Sequence, residues 1–208
     1  IIGGSDITFE QEGDTFMFSA LEADYNGSET FIATVTDGDL ADSQSFTVTV
    51  LAVNDAPVAN AASAETSEDQ SVVITLSGSD IDGDNLTFSL DTDAPNGSVV
   101  LDGNLATYTP IADFNGDDSF TFSVSDGELT DTADVTLSVT AINDAPVLAT
   151  IDNVSFDEEG SGSISLSGSD VDGDDLTFSI AGGDQITATL DGSNVSFSAP
   201  LNFNGSEE

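Results

Sequence analysis

Along most of the chain, apolar and polar residues alternate one for one. In "SVVITLSG", Val72, Ile74 and Leu76 fall on one face, and Val73, Thr75 and Ser77 on the other. The run "LTFSL" repeats the pattern with Leu86, Phe88 and Leu90. "DSFTFSVSDG" does so with Phe120, Phe122 and Val124, and "ADVTLSVT" with Val135, Leu137 and Val139. Successive side chains of an extended strand point to opposite faces, so these runs predict strands with one buried face and one wet, hydroxyl-lined face. Turn signals separate them: Pro95-Asn96-Gly97, Asp102-Gly103, Asn115-Gly116 and Asp126-Gly127. No stretch carries a helical period. Seven strands per repeat are expected, which suits an all-β, Greek-key β-sandwich. Phe88, Phe120, Phe122 and Val135 are expected to be nearly fully buried in its core.

The alternation itself recurs. "VNDAPV" at 53–58 returns as "INDAPV" at 142–147, and "ADYNG", "ADFNG" and "LNFNG" begin at residues 23, 112 and 201. The period is about 89 residues, the length of one small β domain. Residues 1–54 read as the C-terminal part of one repeat, 55–143 as a complete repeat and 144–208 as the N-terminal part of a third. The window is expected to come from something longer. The third part lacks counterparts of "DSFTFSVS" and "TADVTLSVT", so Phe178 and Phe197 lose cover. Burying a Phe is worth roughly 1.5–3 kcal/mol, so residues 144–208 are not expected to fold alone.

Composition narrows the function. Among 208 residues there are 40 Asp plus Glu and no Lys, Arg, His, Cys or Trp, for a formal charge of −40. Without cations the chain offers nothing to a nucleic acid phosphate or an anionic membrane surface. It also has no His or Lys base, no Cys nucleophile and no imidazole or thiolate for zinc. Carboxylate-only glycosidase chemistry remains formally open, but no carboxylate pair stands apart from the acidic crowd, and the chain reads as not an enzyme. No apolar run is long enough to span a membrane as a helix. A hydrophobic fraction of 38% with 13 Phe supports a core despite the charge.

The acid is clustered. "SGSDIDGDNLTFSL" at 77–90 returns as "SGSDVDGDDLTFSI" at 167–180. A hairpin turn needs one Asp or Asn and one Gly, and Asp102-Gly103 and Asp191-Gly192 read as nothing more. Three aspartates within five residues repel one another, and calcium, which takes six to eight oxygen ligands, can repay the arrangement. An EF-hand does not fit, because Gly83 is fourth from Asp80 and a strand follows at once. The competing reading is solvated acidity screened by bulk salt. Recurrence of Asp-x-Asp-Gly at the same place in two repeats favours calcium.

Together these motifs resemble the cadherin-like tandem repeats of large bacterial surface adhesins, and through them the cadherin ectodomain. The resemblance covers essentially the whole chain. The cadherin linker Asn-Asp-Asn-x-x-Pro is similar to Asn54-Asp55-Ala56-Pro57 and Asn143-Asp144-Ala145-Pro146. The Asp-x-Asp pair resembles Asp80/Asp82 and Asp170/Asp172, the early Glu resembles Glu68, and the Asp-Arg-Glu element resembles Asp24-Tyr25-Asn26 and Asp113-Phe114-Asn115. An Asp-x-Gly element resembles Asp126 and Asp37. The resemblance implies Ca2+ around Asp24, Asn54, Asp55, Asp80, Asp82 and Asp126, and again around Glu68, Asp113, Asn143, Asp144, Asp170 and Asp172. Ala52, Ala56, Ala141 and Ala145 stand where linker ligands would be, so one or two ions per junction are expected. The implied role is an extracellular, calcium-stiffened spacer of a surface adhesin, with calcium and neighbouring repeats as partners. The alternative is a segment of an extracellular filament or matrix fibre assembled by contacts between copies.

Overall fold

A computed structural model describes residues 5–207 of the chain. It contains eighteen strands and no helix among the described residues. The first partial repeat forms β1 (Ile7–Glu12), β2 (Thr15–Ala20), β3 (Gly27–Thr36) and β4 (Ala41–Val50). The middle repeat forms β5 (Val58–Asn60), β6 (Ala62–Ser67), β7 (Val72–Thr75), β8 (Ser77–Ser79) and β9 (Thr87–Thr92). It continues with β10 (Gly97–Asp102), β11 (Leu105–Pro110), β12 (Gly116–Ser125) and β13 (Thr130–Thr140). The third part forms β14 (Val147–Leu148), β15 (Ser161–Ser165), β16 (Gly168–Ser169), β17 (Thr187–Asp191) and β18 (Asn194–Ser198).

By contacts the chain divides into two compact units. The first runs to Thr66 and includes Gln70–Ile111 and Asp117–Val139. The second comprises Ser67–Asp69, Ala112–Gly116 and the chain from Thr140 onward.

In the first unit, the middle repeat is a sandwich of seven strands in two sheets, ordered β10-β11-β7 and β6-β13-β12-β9, with a short β5-β8 ladder beside them. The alternation seen in the sequence supplies its core: Ile74, Leu76, Phe120, Phe122, Val124, Val135, Leu137 and Val139 are all buried. Val73, one position out of phase, is 60% exposed. Phe88 departs from expectation, being only half-buried. It lies on β9, the edge of its sheet, so one flank has no neighbouring strand, although its ring stacks on Phe122 at 6.3 Å.

Tyr108 is fully buried, and its hydroxyl donates to Asp118 Oδ2 at 2.9 Å. Asp118, itself buried, also accepts from the Asn96 and Ser119 amides. A buried carboxylate is tolerable only when its oxygens are met in this way. The hairpin turns are as expected from Asp-Gly. Asp102 pairs with Leu105 and Asp191 with Asn194. The enclosed Gly103 and Gly192 both have φ of 61°, a conformation that favours glycine.

The first partial repeat, also in the first unit, consists of two hairpins, β1-β2 and β3-β4. They share a small aromatic core in which Phe31 meets Phe18 at 5.2 Å and Phe46 at 5.9 Å. In the second unit, β15, β17 and β18 form a sheet with order β15-β18-β17, equivalent to β7-β11-β10, and β14 pairs with β16 as β5 does with β8. Residues 152–157 and 177–182, whose counterparts in the middle repeat are β6 and β9, are not strands.

Candidate metal centres

The first acidic centre is built on two loops of the first unit. Asp80 directly follows the short β8 segment, and its Oδ1 accepts the backbone amides of Asp82 (2.9 Å) and Asp84 (3.2 Å). This folds "DIDGD" into a tight loop with Gly83 at φ 81°. The fold brings one carboxylate oxygen from each of Asp80, Asp82 and Asp84 within 4.8 Å of one another. The linker then docks on the loop: the Asp55 amide donates to Asp82 Oδ2 at 2.8 Å. Asn54 Nδ2 donates to Asp126 Oδ2, also at 2.8 Å. Asp126 Oδ1 is held by the amides of Glu128 and Leu129. Asp24 lines a cleft of about 490 Å3 with Asp55 and Asp80.

All six residues expected around this centre therefore lie at one end of the middle sandwich. Asp80, Asp82 and Asp84 bring carboxylate oxygens together, Asp24 and Asp55 border the cleft with Asp80, and Asn54 is hydrogen-bonded to Asp126. Asp84 was missed as a candidate, although its place in the crowded loop was visible.

The second centre lies within the second unit. Oxygens of Glu68, Asp144 and Asp172 come within 4.8 Å of one another, as do those of Asp69, Asp113 and Asp144. Asp144 belongs to both triads. Glu68 is only 3% exposed; its Oε1 accepts the Ile142 amide and its Oε2 the Asn115 side chain. The linker repeats its earlier docking, the Asp144 amide donating to Asp172 Oδ2 at 2.7 Å. Asp170 Oδ1 organises the loop by accepting from the Asp172 and Asp174 amides. The Asn143 side chain turns back to the Asp144 carbonyl. Asp113 and Asp69 both have positive φ, 59° and 60°, and the Asp113 amide donates to Asp69 Oδ1.

Of the six residues expected at this second centre, the triads bring together Glu68, Asp113, Asp144 and Asp172. Asp170 and Asn143 shape the loop and linker instead. Asp69 is a member that sequence reasoning did not single out; its only signal was adjacency to Glu68.

Electrostatics set the two kinds of carboxylate apart. Burial pushes Asp144 above its ordinary range, and Asp113, Asp172, Asp69 and Glu68 reinforce this by repulsion. Burial does the same to Asp55, with Asp24, Asp82 and Asp80 adding to it. Asp126 is held below its ordinary range by hydrogen bonds from the Leu129 amide, the Asn54 side chain and the Glu128 amide. In each centre one carboxylate oxygen, Asp80 Oδ2 in the first and Asp144 Oδ2 in the second, is buried without a hydrogen-bond partner. A buried, unmatched anionic oxygen is costly. Clusters of carboxylate and amide oxygens without nitrogen or sulfur donors suit hard divalent cations.

A family model described as "Bacterial Ig domain" matches residues 54–138 and again 143–208. No curated protein matches the chain. Among solved structures it is similar to extracellular cadherin domains 1–4 of protocadherin gamma B7, at 14% identity and a TM-score of 0.51. That match covers 94% of this chain and 56% of that one. It is also similar to Drosophila N-cadherin EC1-4, at 15% identity and TM-score 0.48, covering 91% and 54%. An endo-fucoidan hydrolase of glycoside hydrolase family 107 matches at 19% identity, with TM-score 0.37. The chain spans only 34% of that hydrolase's length.

Proposed function

The chain belongs to the bacterial Ig domain family, and from that premise we propose that it is a calcium-stiffened spacer of an extracellular repeat protein. It is not an enzyme in this reading: its part is to hold a functional domain of a longer chain away from a cell surface. The observation that carries the reading is the pair of buried, partnerless oxygens, Asp80 Oδ2 and Asp144 Oδ2, each inside a carboxylate cluster. A bound Ca2+ would supply the positive charge that the chain lacks. Asp80, Asp82 and Asp84 would hold it in the first centre, with Asp24 and Asp55 beside them. Glu68, Asp69, Asp113, Asp144 and Asp172 would hold it in the second. The protein's own contribution is to orient these oxygens with backbone amides, as Asp80 and Asp170 do for their loops.

Each centre also joins residues on either side of a linker, so occupancy would restrain the linker backbone at 54–57 and 143–146. Extracellular sites of this kind bind in roughly the 10⁻⁴–10⁻³ M range. The test is a calcium titration followed by thermal melting and small-angle scattering. Melting temperature should rise with calcium by mass action, and scattering should report a stiffer chain than in chelator. Identical melting and scattering in calcium and chelator would sink the proposal.

A further inference from the structure

The chain contains four Asn-Gly pairs, at 26–27, 96–97, 115–116 and 204–205. Those at Asn26, Asn115 and Asn204 recur with the 89-residue period. Asn is a labile residue, and most so before Gly, where no Cβ hinders the next backbone nitrogen from reaching the Asn side chain. The Gly nitrogen attacks Asn Cγ, the bond from Cγ to Nδ2 breaks, and ammonia leaves a succinimide ring. Water then opens the ring. Opening at the side-chain carbonyl gives Asp, and opening at the backbone carbonyl gives isoaspartate. Water is the sole co-reactant.

The fold treats two of these pairs differently. Around Asn96-Gly97 the backbone is clamped: the Asn96 amide donates to Asp118 Oδ2, and the Asn96 carbonyl accepts the Ile111 amide. The Gly97 amide donates to the Ala94 carbonyl, and a Cβ on Gly97 would lie 2.2 Å from the Tyr108 ring. Ring closure must turn this peptide, and those contacts oppose it. Asn115, in the second unit, is exposed. Its side chain is held by a long contact, from Nδ2 to Glu68 Oε2 at 3.5 Å. Gly116 is the first residue of β12, and a Cβ there would meet nothing nearer than Phe114 Cζ at 3.8 Å. Its φ of 127° accounts for the glycine and leaves the Asn before it to be explained.

Asn115 stands against the second acidic centre. Glu68, its partner, is 3% exposed and shares a triad with Asp144 and Asp172, while Asp113 belongs to the other triad. We propose that Asn115-Gly116 is a self-modifying site. Deamidation to Asp adds a carboxylate to this centre, so its affinity for calcium rises as the molecule ages. The consequence rests on the calcium-spacer reading; the ring closure does not.

The sign of the effect depends on the metal. Without calcium, deamidation replaces an N–H donor facing Glu68 Oε2 by a like charge beside a nearly buried carboxylate, which is destabilising. With calcium, the same oxygen is a further hard ligand, and affinity at such sites is tuned by the number of charged ligands. The isoaspartate product differs: it lengthens the backbone at the start of β12 and displaces the carboxylate, so it does not deliver the ligand.

The chemistry is tested on the full chain, incubated at mildly alkaline pH in chelator and then digested with pepsin for mass spectrometry. The mass shift of amide-to-acid conversion should accumulate at Asn115 well before Asn96. It should be missing at that position in Asn115→Gln, whose longer side chain closes a ring far more slowly. Asn115→Asp, a homogeneous form of the Asp product, then reads the consequence. The calcium concentration that half-protects residues 143–146 from a nonspecific protease should fall about tenfold, while that for 54–57 stays unchanged. In chelator the same variant should melt below the wild type. No conversion at Asn115, or equal conversion at Asn96, overturns the proposal and leaves the calcium reading standing. So does an unchanged midpoint in Asn115→Asp when calcium still protects the wild-type linker. If calcium protects neither linker, the spacer reading falls and the affinity claim with it.

Discussion

At Asp144, burial and four neighbouring carboxylates act in the same direction, raising its pKa. A carboxylate whose folded pKa lies above its unfolded value binds more protons folded than unfolded. Without metal, stability is therefore lost as pH rises from the ordinary value of 3.8 through the raised one. Asp144→Asn removes that burden, so in chelator near neutral pH it should leave the melting temperature unchanged or raise it. In calcium the same variant should melt below the wild type, because a shared ligand is gone. A lowered melting temperature in both conditions would mean that Asp144 is purely structural. Tyr108 presents the opposite case of a buried polar group fully matched. Tyr108→Phe leaves buried Asp118 short of one donor and should cost about 1–3 kcal/mol in denaturant unfolding, with or without calcium.

Among the strands, a recurring carboxylate clamp at the start of the long hairpin matters more than propensity. Glu29 on β3 accepts the amides of Ser5, Asp6 and Ile7. Glu207 accepts those of Asp184, Gln185 and Ile186, and Asp118 on β12 takes the same role toward Asn96. The Asp6 amide does most to hold Glu29 below its ordinary value of 4.5, while partial burial opposes the shift. A depressed folded pKa gives a contribution present above pH 4.5 and lost as pH falls through the lowered value. Protection factors of the amides at residues 5–7, taken against the intrinsic exchange rate at each pH, should therefore fall on acidification before those of the middle sandwich do. In Glu29→Gln, exchange there should be faster already at neutral pH. Protection unchanged in that variant would remove the clamp as a cause.

For the whole molecule, the deciding quantity is how −40 charges are neutralised. Specific sites and bulk screening predict different responses. Millimolar calcium should raise the melting temperature well beyond what the same ionic strength of sodium achieves. Trypsin is useless as a probe because there is no Lys or Arg; a nonspecific protease should cut near 54–57 and 143–146 more slowly in calcium. Equal cleavage with sodium and calcium would favour diffuse screening. Asp82→Ala should abolish the protection at 54–57 and leave that at 143–146 intact, since Asp82 reaches only the Asp55 linker.

Alternation with period two, the 89-residue recurrence and the Asp-Gly turns were enough to place the long strands of the middle repeat, its sandwich and most of its inward face. Each is a local rule about which way a side chain points. The absence of cations was equally legible. Local pattern could not say how far Phe88 is covered, because burial depends on whether a strand lies at an edge. Nor could it separate Asp69 and Asp84 from the other aspartates. Their membership arises only when loops distant in sequence converge, as Asp69, Asp113 and Asp144 do. The same limit applies to residues 152–157 and 177–182, which carry a strand pattern without forming strands. A strand needs a neighbour to satisfy its backbone, and whether one is present is a property of the assembled fold.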